Sequence, residues 1–66
     1  MISYRKLWIK LKKESLPYSY MREKAKISPG TFIKLKNNEP VSLYSLEKIC
    51  RSLDCNIGEI MEYVGD

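Results

Sequence analysis

Residues 16 to 37, LPYSYMREKAKISPGTFIKLKN, read as a short amphipathic helix, an abrupt break and a second helix whose start is fixed by its own residues. Ser28 is placed to accept a hydrogen bond from an otherwise unpaired N–H of the first turn. Pro29 supplies a preset φ where its missing N–H costs nothing. At about 100° per residue, Phe32 and Leu35, with Lys36 nearby, share one side of the second helix. Gly30, Lys34 and Asn37 fall on the opposite side, with Thr31 and Ile33 on the flanks. Two apolar anchors would thus hold a small, polar, cationic surface outward.

Such a surface suits the major groove of DNA. Lysine donates to guanine O6 and N7, asparagine pairs with adenine, and an apolar group meets the thymine methyl. An ordinary solvated helix face is the plain alternative, because Lys and Asn are common on surfaces.

The other segments supply a frame for this pair. Ser3 is placed as the cap of a first helix over Tyr4 to Glu14, where Tyr4, Leu7, Trp8 and Leu11 form one apolar stripe at helical spacing. Trp8 is expected to be mostly buried and to give the core its largest single contribution. Ile9 is an exposed apolar exception among lysines. Ser15 to Pro17 breaks that helix, and a second spans Tyr18 to Lys24, with Leu16, Met21 and Ala25 facing inward and Ala25 to Ile27 turning. After Pro29 to Asn37, the run Asn37 to Pro40 is a loop, since Asn tolerates left-handed backbone and Pro40 cannot continue a helix. Ser42 caps a fourth helix carrying Leu43, Leu46, Ile49, Cys50 and Leu53. Asn56 caps a last one with Ile57, Ile60, Met61 and Val64 on one face. The expected fold is therefore all-α, a compact five-helix bundle in a single domain over residues 1–66, without strands.

Sixty-six residues bury only about 60% of their unfolded surface. No apolar run is long enough for a membrane span, and the N-terminus lacks the pattern of a secretory signal, so a cytoplasmic protein is expected. Cys50 and Cys55 lie five apart across a helix end, an awkward geometry for a disulfide, and are read as reduced apolar residues. With no histidine, a zinc site would need carboxylates beside two thiols, so no metal or cofactor is expected. The absence of histidine, of a clustered carboxylate pair and of a phosphate-cradling glycine loop argues against an enzyme.

Charge is unevenly distributed. Residues 1–36 carry ten Lys or Arg against Glu14 and Glu23, net +8, whereas residues 37–66 are net −4. A basic front half attracts polyphosphate and speeds encounter. An anionic membrane or an acidic protein could exploit the same field.

Two longer stretches carry a resemblance. MREKAKISPGTFIKL is similar to the helix-turn-helix core, and VSLYSLEKICRSLDCNIGEIMEY to the closing part, of the Xre-like family of phage Cro and repressor type. The resemblance covers nearly the whole chain. It implies a second helix laid across the DNA backbone and a third in the major groove, normally as a two-fold dimer on a palindromic site. Base edges would then be met by Pro29, Gly30, Thr31, Ile33, Lys34 and Asn37. Tyr18, Arg22, Ser28, Asn38, Ser42 and Tyr44 would face phosphates, helped by Lys12 and Lys13. Four positions differ from the family: Tyr18 stands where Gln is common, Arg22 where many members have Ala, Lys26 at a turn position usually held by Gly, and Gly30 offers no side chain to a base.

The function implied is a sequence-specific regulator of transcription, a repressor acting by occupancy of double-stranded DNA as a homodimer, with no small-molecule ligand evident. Ile60, Met61, Tyr63 and Val64 are the preferred dimer interface, although core packing within the monomer explains Ile60, Met61 and Val64 equally well. The alternative is a protein-interaction module, antitoxin-like or phage-encoded, using Ile9 and Tyr63 as contacts.

Overall fold

The computed structural model describes residues 1–65, so Asp66, the last residue of the expected domain, lies outside the described residues. In chain order the elements are β1 (Ile2–Ser3), α1 (Arg5–Lys13), α2 (Tyr18–Lys24), α3 (Pro29–Lys36), α4 (Leu43–Leu53), a single 3₁₀ turn (Ile57–Glu59) and β2 (Glu62–Tyr63). The bundle has four helices among the described residues, not five. Ile57 to Glu59 starts like a helix, with the Asn56 N–H donating to the Glu59 carboxylate at 2.8 Å, but the chain leaves after one turn. It then runs back beside the N-terminus. β1 and β2 pair antiparallel, Ile2 opposite Tyr63 and Ser3 opposite Glu62. Two-residue strands are too short to show alternation in sequence, which is why they were not expected.

Three helices contribute most of the core. Tyr4, Leu7 and Leu11 at α1, Met21 and Ala25 at α2, and Leu46, Ile49 and Leu53 on α4 are buried together with Ile27, Leu35 and Ile60. Tyr4 is buried without an unpaired polar group. Its N–H donates to Asn38 Oδ1 at 3.0 Å and its hydroxyl donates to the Glu39 carbonyl at 2.9 Å, tying the start of α1 to the α3–α4 loop. Tyr4 also occupies the cap position of α1 expected of Ser3, although the Ser3 hydroxyl accepts from the Arg5 N–H at 3.2 Å.

Several apolar assignments change or are decided. Trp8 is half-buried rather than mostly buried, because it packs on Tyr18 and Phe32 at the edge of the bundle. Leu43, in the first turn of α4, is 76% exposed, and Ile57 is exposed as well. Ile60 has no exposed surface, so the protein's own core uses this member of the expected dimer interface, whereas Tyr63 is 73% exposed and Val64 is also exposed.

All four helices end alike. Ser15, Lys26, Asn38 and Asp54 take positive φ, between 51° and 57°. The next residue then donates back across the turn: Leu16 to Leu11 at 2.8 Å, Ile27 to Arg22 at 2.9 Å, Glu39 to Lys34 at 2.8 Å and Cys55 to Cys50 at 3.0 Å. This six-to-one bond satisfies a terminal carbonyl and brings its two residues together. It makes neighbours of Cys50 and Cys55, a pair whose spacing in sequence looks awkward. Both remain free thiols.

Burial pushes the Cys55 thiol up from 9.0 to about 11, with Cys50 beside it adding to the shift, and burial raises Cys50 as well. An unfolded chain releases these protons at lower pH than the folded one, so their contribution is complete below about pH 9 and is lost as pH rises through about 11. Chemical denaturation across this window is expected to show falling stability, with a shallower fall in Cys55→Ala.

Candidate nucleic-acid interface

Sequence fixes α3 at both ends. The Ser28 hydroxyl accepts from the Thr31 N–H at 3.2 Å and donates to Thr31 Oγ1 at 3.1 Å, while Pro29 occupies the first turn. At the other end Asn37 is the C-cap and Asn38 turns the chain at φ 57°. Leu35 is fully enclosed. Phe32, half-buried, lies against both Trp8 and Tyr18 with ring centroids 5.8 Å away in each case, and Trp8 and Tyr18 are 5.0 Å apart. Three rings from α1, α2 and α3 therefore meet at one junction, an arrangement that adds directional attraction to buried area.

With that side fastened, the opposite side is open. Pro29, Gly30, Ile33, Lys34 and Asn37 are exposed, Ile33 by 57%, and Thr31 is half-buried beside the cap. A Cβ added at Gly30 would meet nothing within 4 Å, so packing does not require glycine here. The absence of a side chain keeps this part of the outward face flat. A helix of eight residues is about 12 Å long, the length of a few base pairs of duplex DNA.

The other expected residues divide by position. Tyr18 begins α2 on the exposed side, and Lys12 lines one shallow groove with it, Trp8 and Pro17. Lys13 lines a different groove with Lys6, Lys10 and Glu59, so the structure does not bring it together with Tyr18. The guanidinium of Arg22 lies 5.0 Å from the centre of the Phe32 ring, and its Nε is buried without a hydrogen-bond partner among the described residues. The Asn38 carbonyl oxygen is committed to Tyr4, which leaves its amide NH₂ as the group able to meet a phosphate. Ser42 caps α4, accepting from the Ser45 N–H and donating to Ser45 Oγ, both at 3.0 Å, and Tyr44 is exposed in the first turn.

Lys36 lies on the side of Phe32, as its angle predicts, but it does more than border that side. It is exposed and folds over two rings, its Nζ 4.6 Å from the Tyr18 centroid and 5.0 Å from that of Trp8. Three aromatic residues at the starts and middles of adjacent helices were the available signal. Each such cation–π contact contributes about 0.5–1 kcal/mol at an exposed position and restricts where the ammonium points.

Ion pairing sharpens the charge pattern. Among the described residues Arg5 pairs with Glu62 at 3.3 Å, and Lys10 with Glu14 at 2.8 Å and Glu59 at 3.8 Å. The remaining pair joins Arg51 to Glu47 at 3.5 Å. The acids of the C-terminal half thus offset α1. Arg22, Lys24, Lys26, Lys34 and Lys36, all in the α2–turn–α3 unit, are in none of these pairs.

Lys26 carries strain as well as charge, since φ 54° in a residue with a side chain costs about 1–2 kcal/mol. Relief of that strain is partly offset by the greater freedom of glycine in the unfolded chain. Lys26→Gly is expected to raise stability by about 0.5–1 kcal/mol, measured by denaturant titration.

The sequence model of the Cro/C1-type HTH DNA-binding domain matches residues 6–66. A solved structure, the crystal structure of the transcriptional regulator VanUg (Form II), is 40% identical and superposes with a TM-score of 0.93, covering 98% of this chain and 87% of its own. No curated protein is close enough in sequence to count as a relative.

Proposed function

Because the chain belongs to the Cro/C1-type helix-turn-helix DNA-binding family, we propose that it is a double-stranded-DNA-binding regulator of transcription that sets α3 in the major groove and represses by occupying its operator. One observation carries this reading: Leu35 is sealed in the core while Gly30, Ile33, Lys34 and Asn37 stand open on the reverse of the same helix. Lys34 then donates to guanine, Asn37 pairs with adenine or an adjoining phosphate, and Ile33 lies against a thymine methyl. Thr31 and the Pro29–Gly30 backbone complete the base-facing edge. Tyr18, Lys12, Lys36 and the N–H groups at the start of α4 meet phosphates and set the register. The similarity to a transcriptional regulator over 98% of the chain supports the regulatory role. Occupancy of a promoter is the effect such a face has by itself. No helix among the described residues is long and apolar enough to cross a membrane.

A face about 12 Å long reads too little sequence alone, so we place a second copy on a half-site about 34 Å away. With Ile60 enclosed, the exposed apolar surface for this dimer narrows to Tyr63 in β2 and to Met1 and Val64 beside the small sheet.

Selection of bound duplexes from a random library is expected to return a palindrome with that half-site spacing; failure to retain any duplex at low salt contradicts the reading. On the selected site, Lys34→Ala is expected to cost about 1–3 kcal/mol of binding and to relax preference at one base pair. Lys12→Ala weakens all sequences alike. Unchanged affinity and unchanged preference in Lys34→Ala would mean that another face reads the bases.

A further inference from the structure

Resting on that reading of α3, we propose that the groove between the α2–α3 turn and α4 is a second phosphate-binding surface, which takes the backbone of duplex DNA flanking the base pairs read by α3. Tyr20, Lys24, Lys26, Tyr44, Lys48 and Arg51 line it. Four of these six are cations. Of the acids beside them, Glu47 is engaged by Arg51 at 3.5 Å, and Glu23, which precedes Lys24, is exposed and does not line the groove.

Lys48 is the fixed point of the groove. It is half-buried, its Nζ donates to the Lys26 carbonyl at 3.2 Å, and the same ammonium lies 4.9 Å from the centre of the Tyr44 ring. An ammonium has three N–H donors, and the carbonyl takes one. The others remain for an anion, and a side chain already held in place loses little further freedom on binding. Lys24 and Lys26 are exposed and belong to no ion pair among the described residues. Two phenols add neutral donors of the kind that meet phosphate oxygens.

Charge complementarity makes the occupant an anion with several oxygens. Continuity favours a nucleic-acid strand over a free one. The rim includes Tyr44 in the first turn of α4 and Lys26 two residues before the Ser28 cap of α3, so the groove adjoins the starts of two helices assigned to the interface. A strand passing α3 carries regularly spaced phosphates beyond the bases being read.

The test uses the double variant Lys24→Gln/Lys26→Asn, which leaves the bond from Lys48 to the main-chain carbonyl in place and puts a residue tolerant of left-handed backbone at 26. Thermal unfolding confirms that it folds. Binding is measured against salt concentration on the selected site carrying a helical turn of flanking duplex on each side, and on the same site trimmed to the base pairs read. The double variant is expected to lose about two units of the log–log salt slope on the long duplex, at roughly 0.9 per phosphate, and to match the unsubstituted protein on the trimmed one. Equal slopes on the long duplex overturn the proposal. Stabilisation of the free protein by tripolyphosphate that disappears in the double variant, together with equal slopes on DNA, assigns the groove to a free anion and also overturns it. If the unsubstituted protein binds neither duplex, the reading of α3 fails first and this one with it.

Discussion

Leu35 keeps no solvent-exposed surface, and the position of α3 depends on that enclosure. A helix of eight residues has little stability of its own, so its orientation comes from what it buries. Leu35 and Phe32 set which way the helix is turned about its axis. The Ser28 cap and the Asn38 turn set where it starts and stops. Once those are fixed, Lys34 and Asn37 have no inward alternative. A polar, cationic face is thus a consequence of apolar packing on the other side.

The rest of the fold serves this placement at a distance. Tyr4 joins α1 to the loop after α3 through two hydrogen bonds, and the paired strands hold the chain ends together behind α1. Glu59 and Glu62 of the C-terminal half lie against α1 and, with Glu14, offset Arg5 and Lys10. The helix-turn-helix unit keeps its cations unpaired among the described residues. Exposed ion pairs contribute little to stability, so the arrangement matters more for where a polyanion is attracted than for how tightly the chain folds.

Much of this was legible in the sequence, and what was not has physical causes. The caps at Ser28 and Ser42 act through local chemistry and appear where serine precedes an apolar-periodic run. Leu7, Leu11, Met21, Leu46 and Ile49 follow helical spacing and are buried as expected. The closing helix was misread because Asn56 and Glu59 provide a true helix start with nothing to continue it. Strands of two residues have no period to detect. Helix ends were partly hidden because Ser15, Lys26 and Asp54 adopt a backbone usually given to glycine. The contact of Lys36 with two rings was not legible from its angle alone, because a long side chain bends toward the nearest aromatic faces, and those faces come from α1 and α2.

The central claim is that a helix fastened by Leu35 and Phe32 turns its other side toward nucleotide bases. Titration of the protein with its selected duplex, followed by the backbone amide resonances, tests this most directly. The account predicts the largest shifts from Gly30 to Asn37 and at Tyr18, with the paired strands at Ile2–Ser3 and Glu62–Tyr63 little changed. Shifts concentrated on the strands or on α1, with α3 silent, would contradict it.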